Sequence, residues 1–344
     1  MAADRLYLDH AATTPVLPES QEAMIAALGR WANPSSPHAD GRAARAALED
    51  ARARIMTALG WNGEIIFTSG ASEAIAIALT RTKAERIVTS PVEHDAVLRV
   101  TKDAERLPVD DNGLVGPWRG LRGVLLAVQH VNNETGVIQP LRDIERNGAI
   151  LFADCAQSAG KLPLPDADLI AISAHKFGGP PGVGALLIRD LALIEPSGGQ
   201  EQGYRAGTEN LPAILGMAAA LEAKTDWLSG AAVMRARLDA AVEAAGGEVV
   251  ARNGPRIASI ASYRMPGLPA RAQLIQFDLA GVSVSAGSAC SSGSLKTSHV
   301  LRAMGWSENA AAEVVRVSFG PQTRDSDVDS FIAVWTRMAE RARS

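Results

Sequence analysis

The stretch Ser173–Gly184, SAHKFGGPPGVG, decides how this chain is read: an apolar run gives way there to one lysine and a train of glycines. Lys176 follows closely on LIAIS (Leu169–Ser173), a run that predicts a buried strand. A lysine at the end of such a strand must reach water or be held neutral beside a partner, and a buried lysine gives up its proton readily. The neutral amine is suited to a Schiff base with an aldehyde, and the aldehyde that proteins most often keep there is pyridoxal phosphate. The glycines beyond it would let the backbone lie close against a flat ring. The plain alternative is a solvated lysine at a strand end, so the neighbouring segments must decide.

Upstream, AILFADCAQSAG places Asp154 after five apolar residues and Gln157 three positions later. A carboxylate at a strand end in an apolar sheet is costly unless it meets a positive charge, and a protonated pyridine nitrogen would be one. Cys155 reads as a small core residue facing the other way. VLLAVQHVNNETG predicts a strand over 124–131 running into a turn with Asn132, Asn133 and Glu134, at the strand end where open α/β sheets keep ligands. Turn chemistry alone would also select asparagine and glycine there. RIVTS (Arg86–Ser90) predicts a strand, and PVEHDAVLRV a helix with His94 in its first turn, as a ring-stacking or a surface residue.

EIIFTSGASEAIAIAL predicts a strand over 64–68, a turn at Ser69 and Gly70, and a helix from about Ala71. Free amides and a helix dipole at such a junction suit a phosphate, to which Ser72 would add a hydroxyl, or Ser72 simply caps its helix. The four strand ends together offer an anion cup, an amide, a carboxylate and an amine. Further out, VVRVSFG sets Arg316 in an apolar pattern, either as a fork for an amino-acid carboxylate or as a solvated side chain on an edge strand. Cys290 lies among glycines and serines in VSVSAGSACSSGSLKTSHVL, a segment with little to bury and therefore expected to move.

At 344 residues the chain suits two domains, or one large domain with an appendage. Lys and Arg number 34 against 38 Asp and Glu, a formal charge of −4, which leaves no basic field for nucleic acid. No apolar run approaches the ~20 residues of a bilayer span, and MAADRLYLDH lacks the order of a signal peptide, so a cytoplasmic protein with no membrane partner is expected. The two cysteines make no disulfide framework and the six histidines are scattered, so no metal site is expected. No GxGxxG opens a βαβ unit, which disfavours a dinucleotide enzyme.

YLDHAATTP, NPSSPH, FTSGASE, EHDAVL, VNNETGVIQP, ADCAQSAGKLP, SAHKFGGPPGVG, GGQEQGYRAGTEN and GSACSSGS occur in that order. In this the chain, from about Tyr7 to Arg324, resembles cysteine desulfurases of the NifS/IscS type, in the class V aminotransferase group of pyridoxal-phosphate enzymes. The resemblance implies an α/β fold-type I transferase. Its large domain (14–228) would carry a mainly parallel seven-stranded sheet between helices, and residues 1–13 and 229–344 would form a smaller α+β domain with the cysteine loop. It implies pyridoxal 5′-phosphate as cofactor, with Lys176, Cys290 and His94 catalytic. Ala71, Ser72, Ser173 and His175 would hold the phosphate, joined by Thr208 from a neighbouring subunit. Asn133 and Gln157 would meet the ring oxygen, His94 would stack on the ring, and Asp154 would face the pyridine nitrogen. Arg316, assisted by Asn33, would bind the substrate carboxylate.

The activity so implied is removal of sulfur from L-cysteine, giving L-alanine and a persulfide on Cys290. A homodimer and a sulfur-acceptor protein, an iron–sulfur scaffold or a carrier, would be its partners. The alternatives are a selenocysteine lyase or another class V lyase or aminotransferase, and a non-catalytic scaffold in an iron–sulfur assembly complex. The chain departs from the family in having SGASEAIAIAL without the usual paired asparagines, Phe152 for a histidine and Pro181 for a lysine. The connection from Gln139 to Ala149 is also shortened.

Overall fold

The computed structural model describes residues 5–30, 32–223, 226–289 and 295–343. A seven-stranded sheet runs in the spatial order Glu64–Thr68, Gly184–Ile188, Leu169–Ser173, Ile150–Asp154, Val124–Gln129, Arg86–Thr89 and Glu105–Arg106. Gly184–Ile188 is antiparallel to both its neighbours and every other pairing in the central run is parallel. The C-terminal ends of the other six strands therefore point to one edge. LIAIS is buried at every position, as expected of a strand covered on both faces. One face packs in a core with Leu126, Leu151 and Ile170, the other in a core with Leu125, Phe152 and Leu169.

Helix Ala39–Leu59 opens at a cap in which the His38 Nδ1 atom accepts from the Gly41 amide at 3.2 Å. It ends at Gly60, whose φ of 65° is the left-handed conformation that glycine adopts without strain. Arg52 on this helix donates to both oxygens of Glu201 at 3.0 Å, and Glu201 also accepts from the Phe67 amide at 2.8 Å. Both side chains are buried, so loss of one would strand the other's charge at a cost of about 3–5 kcal/mol. The pair fixes the strand that delivers Ser69 and Gly70 to the sheet edge.

A separate core forms around the antiparallel sheet Val314–Ser318, Ile260–Arg264 and Glu248–Val249. Phe277 and Phe331 stack at 4.8 Å and Trp335 continues the stack, closing it from the amphipathic helix Asp325–Arg343. Leu8, far away in sequence, packs in this same core. Leu6–Tyr7 pairs in parallel with Val282–Ser283, and Asp9 bridges to Ser318. No described helix is long and apolar enough to cross a membrane.

Candidate active site

A cavity of about 610 Å³ lies over the shared strand edge. Lys176 ends a single 3-10 turn, Ala174–Lys176, directly after its strand. Its Nζ donates to the Ala11 carbonyl at 2.7 Å and the Ala12 carbonyl at 2.8 Å, so the amine sits in the cavity wall. Burial, helped by the Arg316 guanidinium, lowers its pKa to about 8 against the pull of Asp154 and Asp9. The neutral amine is thus easier to reach than in a solvated lysine.

Asp154 ends its own strand, buried, and receives one hydrogen bond, from the Ala156 amide at 2.9 Å. Desolvation raises its pKa, as a carboxylate without a cationic partner must show. Gln157 donates to the Ala11 carbonyl at 2.8 Å while its Oε1 is buried with no partner. Cys155 is fully buried and burial pushes its thiol pKa far up, the behaviour of a packing residue.

His94 is the cap of helix Asp95–Val100, outside its first turn: Nδ1 accepts from the Ala96 amide at 3.1 Å. The expected helix starts late because Ser90–Glu93 are tied to the sheet. Glu93, fully buried, accepts from Ser90 Oγ at 2.6 Å and from the Gln129 amide at 2.9 Å. The strands before and beside it are correspondingly shorter than expected, ending at Thr89 and Gln129. Burial pushes the Glu93 carboxyl up to about 8 and lowers the His94 imidazole.

Where Glu64–Thr68 meets helix Ala71–Thr80, Gly70 has φ 154°, and a Cβ on Gly184 would come within 2.7 Å of the Gly70 Cα. No side chain caps this helix, so the amides of Ala71, Ser72 and Glu73 at its start remain available to an anion. Ser173 and His175 join them in the wall. His175 Nδ1 shares the Thr13 hydroxyl at 3.1 Å, and burial, with Lys176 and Lys161 nearby, lowers its pKa to about 4.

Arg316 is buried within Val314–Ser318 and is not a solvated edge residue. Its guanidinium donates to the Asn133 carbonyl at 3.0 Å and to Asp9 Oδ1 at 2.8 Å, with Nε buried and unpartnered. Asn133 also lines the cavity. Two expected site residues do not join the lining: Thr208 is exposed, and the exposed Asn33 instead accepts from the Ser35 amide at 2.9 Å. Cys290 lies outside the described residues, while Gly287, three positions before it, lines the cavity. The sequence reading missed Asp9, the Ala11 and Ala12 carbonyls, Glu93 and His299, although Asp9 and Glu93 stand inside quoted motifs. Among the described residues no group of three His, Cys, Asp or Glu could hold a metal.

A flat, phosphorylated ring suits this set. The amide cup would take an anion, the Gln157 Oε1 atom lacks a donor, and Asp154 lacks a cation. The chain matches the aminotransferase class-V family over residues 6–331, and it belongs to that family, whose cofactor is pyridoxal 5′-phosphate. Within it, the chain is 38% identical to the cysteine desulfurase IscS of Dictyoglomus turgidum, over 98% of this chain and 95% of that protein. It is 36% identical to the IscS-like cysteine desulfurase of Mycobacterium tuberculosis, over 98% and 97%. A solved NifS-like protein superposes with a TM-score of 0.88 at 30% identity, covering 98% of this chain and all of the other.

Proposed function

We infer that the chain is a cysteine desulfurase, taking sulfur from L-cysteine, releasing L-alanine and retaining the sulfur as a persulfide on Cys290. The observation that carries this reading is chain-long similarity to cysteine desulfurases over a cavity in which a lysine of depressed pKa sits near a buried arginine. Lys176 would hold the aldehyde, Asp154 the ring nitrogen and Gln157 with Asn133 the ring oxygen, and the imidazole of His94 would lie on the ring. Ala71, Ser72, Ser173 and His175 would hold the phosphate. When bound, pyridoxal phosphate supplies a sink for the electron pair of the substrate's Cα–H bond.

Arg316 would orient the substrate by its carboxylate, its fork held by Asp9 and the Asn133 carbonyl. Lys176 Nζ would move the Cα proton. The thiolate of Cys290 would attack the substrate sulfur; the S–S bond forms, the Cβ–S bond breaks with its pair on carbon, and protonation there gives alanine. Thr208, exposed and away from the cavity of its own chain, would serve the site of a second copy in a homodimer. The sulfur would pass to an acceptor protein in iron–sulfur assembly or another sulfur pathway. Residues 14–228 would act as the cofactor domain, with 1–13 and 229–344 as the smaller one. A cytoplasmic location fits the reading, because the thiol must stay reduced.

The test is incubation of the purified protein with L-cysteine and a reductant: alanine and sulfide are expected in equal amounts. Turnover of another amino acid in a panel that includes L-selenocysteine, with none of L-cysteine, would sink the assignment. The amine also sets a pH dependence. A lysine attacks an aldehyde only as the neutral form, and the neutral fraction grows as pH rises through about 8. The rate at which added pyridoxal phosphate colours the apoprotein should therefore climb between pH 7 and about 9 and level off above, as stopped-flow absorbance would record.

A further inference from the structure

The amides at the start of helix Ala71–Thr80 share their place with a negative charge. Glu73, in the first turn, lines the cavity with Ala71 and Ser72, and its side chain reaches back over the turn, where Oε2 accepts from the Ser69 amide at 2.5 Å. Such a carboxylate suits an isolated helix, because it meets the positive end of the dipole. Beside a phosphate drawn to the same amides it is unfavourable, since like charges at one anion site repel. Against burial, the hydrogen bonds from Arg205 and from Ser69 hold the Glu73 carboxyl below its ordinary pKa, so it is charged at neutral pH.

Arg205 meets that charge. Its Nε donates to Glu73 Oε1 at 2.8 Å and its Nη2 to Oε2 at 3.3 Å, a two-point hold. Arg205 is not among the described residues that line the cavity. It is delivered by a strained reversal, in which Glu201 and Gln202 hold φ of 48° and 55°. Across this reversal the Gln200 amide donates to the Arg205 carbonyl at 2.9 Å and the Arg205 amide to the Gln200 carbonyl at 3.2 Å. Glu201 is itself fixed by Arg52 and the Phe67 amide. One loop therefore grips the strand before the anion cup through Glu201 and the helix after it through Arg205.

We propose that Arg205 sets the affinity of the anion cup by neutralising Glu73, so that a phosphate meets the helix amides without an opposing carboxylate. Arg205 is thus a positioning residue that acts through Glu73. The proposal rests on the reading of Ala71, Ser72, Ser173 and His175 as the phosphate site.

The test titrates the apoprotein with pyridoxal phosphate and, separately, with pyridoxal, following the absorbance of the lysine-bound aldehyde. The ratio of the two Kd values isolates what the phosphate contributes. Arg205→Gln is expected to bind pyridoxal phosphate on the order of tenfold more weakly, with its Kd for pyridoxal at the wild-type value. An equal loss for both ligands would mean a general defect of the fold and would overturn the proposal, as would an unchanged ratio. Glu73→Gln can still accept from the Ser69 amide and should bind pyridoxal phosphate at least as tightly as wild type; weaker binding confined to the phosphorylated ligand would count against the proposal. The double variant Glu73→Gln/Arg205→Gln lacks both charges and should recover the wild-type ratio. A double variant as weak as Arg205→Gln would show that the guanidinium itself holds the phosphate, and would also sink the idea. Wild-type protein that binds pyridoxal phosphate no more tightly than pyridoxal would remove the phosphate-site reading, and the proposal with it.

Discussion

Lys176→Ala is expected to leave a colourless protein that makes alanine from L-cysteine at a rate lower by on the order of 10⁴-fold, the upper end of what one positioned proton-transfer group contributes. The amine is the group that would bond the cofactor, and its Nζ lies where two carbonyls, those of Ala11 and Ala12, converge. Its removal deletes the covalent link and the proton carrier together. It also leaves both carbonyls without their lysine donor, and Asp154 loses one of the few positive charges that act on it. Borohydride treatment after incubation with pyridoxal phosphate should fix the chromophore to the wild-type protein and fix none to the variant. Covalent capture at an undiminished level in Lys176→Ala would show that another amine holds the ring. Lys161, whose pKa burial lowers to about 7, would then be the first to examine.

Cys290→Ser is the second large effect, and it should have the opposite spectroscopic signature. None of the groups read as holding the ring is changed, so the yellow colour should survive. Sulfide output should fall to roughly one-thousandth of wild type or below, because a serine hydroxyl holds almost no nucleophilic anion at neutral pH whereas a thiol near its ordinary pKa of about 8.5 does. The comparison is made with sulfide and alanine measured in the same tube. Alanine and sulfide both persisting at the wild-type rate would remove this thiol from the reaction.

The parts of the molecule that could be read from sequence are those whose signals are local. EIIFT and LIAIS announce buried strands by composition, and the strand edges then follow from the end of each apolar run, which is why Lys176 and Asp154 fall where the sequence pattern puts them. His94 was displaced by one position, from first turn to cap, because a buried Glu93 holds the preceding loop against Gln129, a contact invisible to helical periodicity. Arg316 was recognisable as an apolar-strand arginine, but its counter-charge, Asp9, lies 307 positions away. Asn33 and Thr208 carry family positions yet stand apart from the cavity of their own chain, where burial and not motif decides membership. His299 gave no signal of its own, since its place in the cavity wall goes with a contact to a carbonyl 206 positions upstream.

Residues 6–14 have one further consequence. Leu8 is anchored in the core of the antiparallel sheet, while the carbonyls of Ala11 and Ala12 cradle the lysine and the Thr14 amide donates to the His175 carbonyl at 2.8 Å. This short strap therefore ties the core around the antiparallel sheet to the edge of the seven-stranded sheet and meets the Lys176 amine midway. A shift of one core against the other would move the two oxygens that hold that amine.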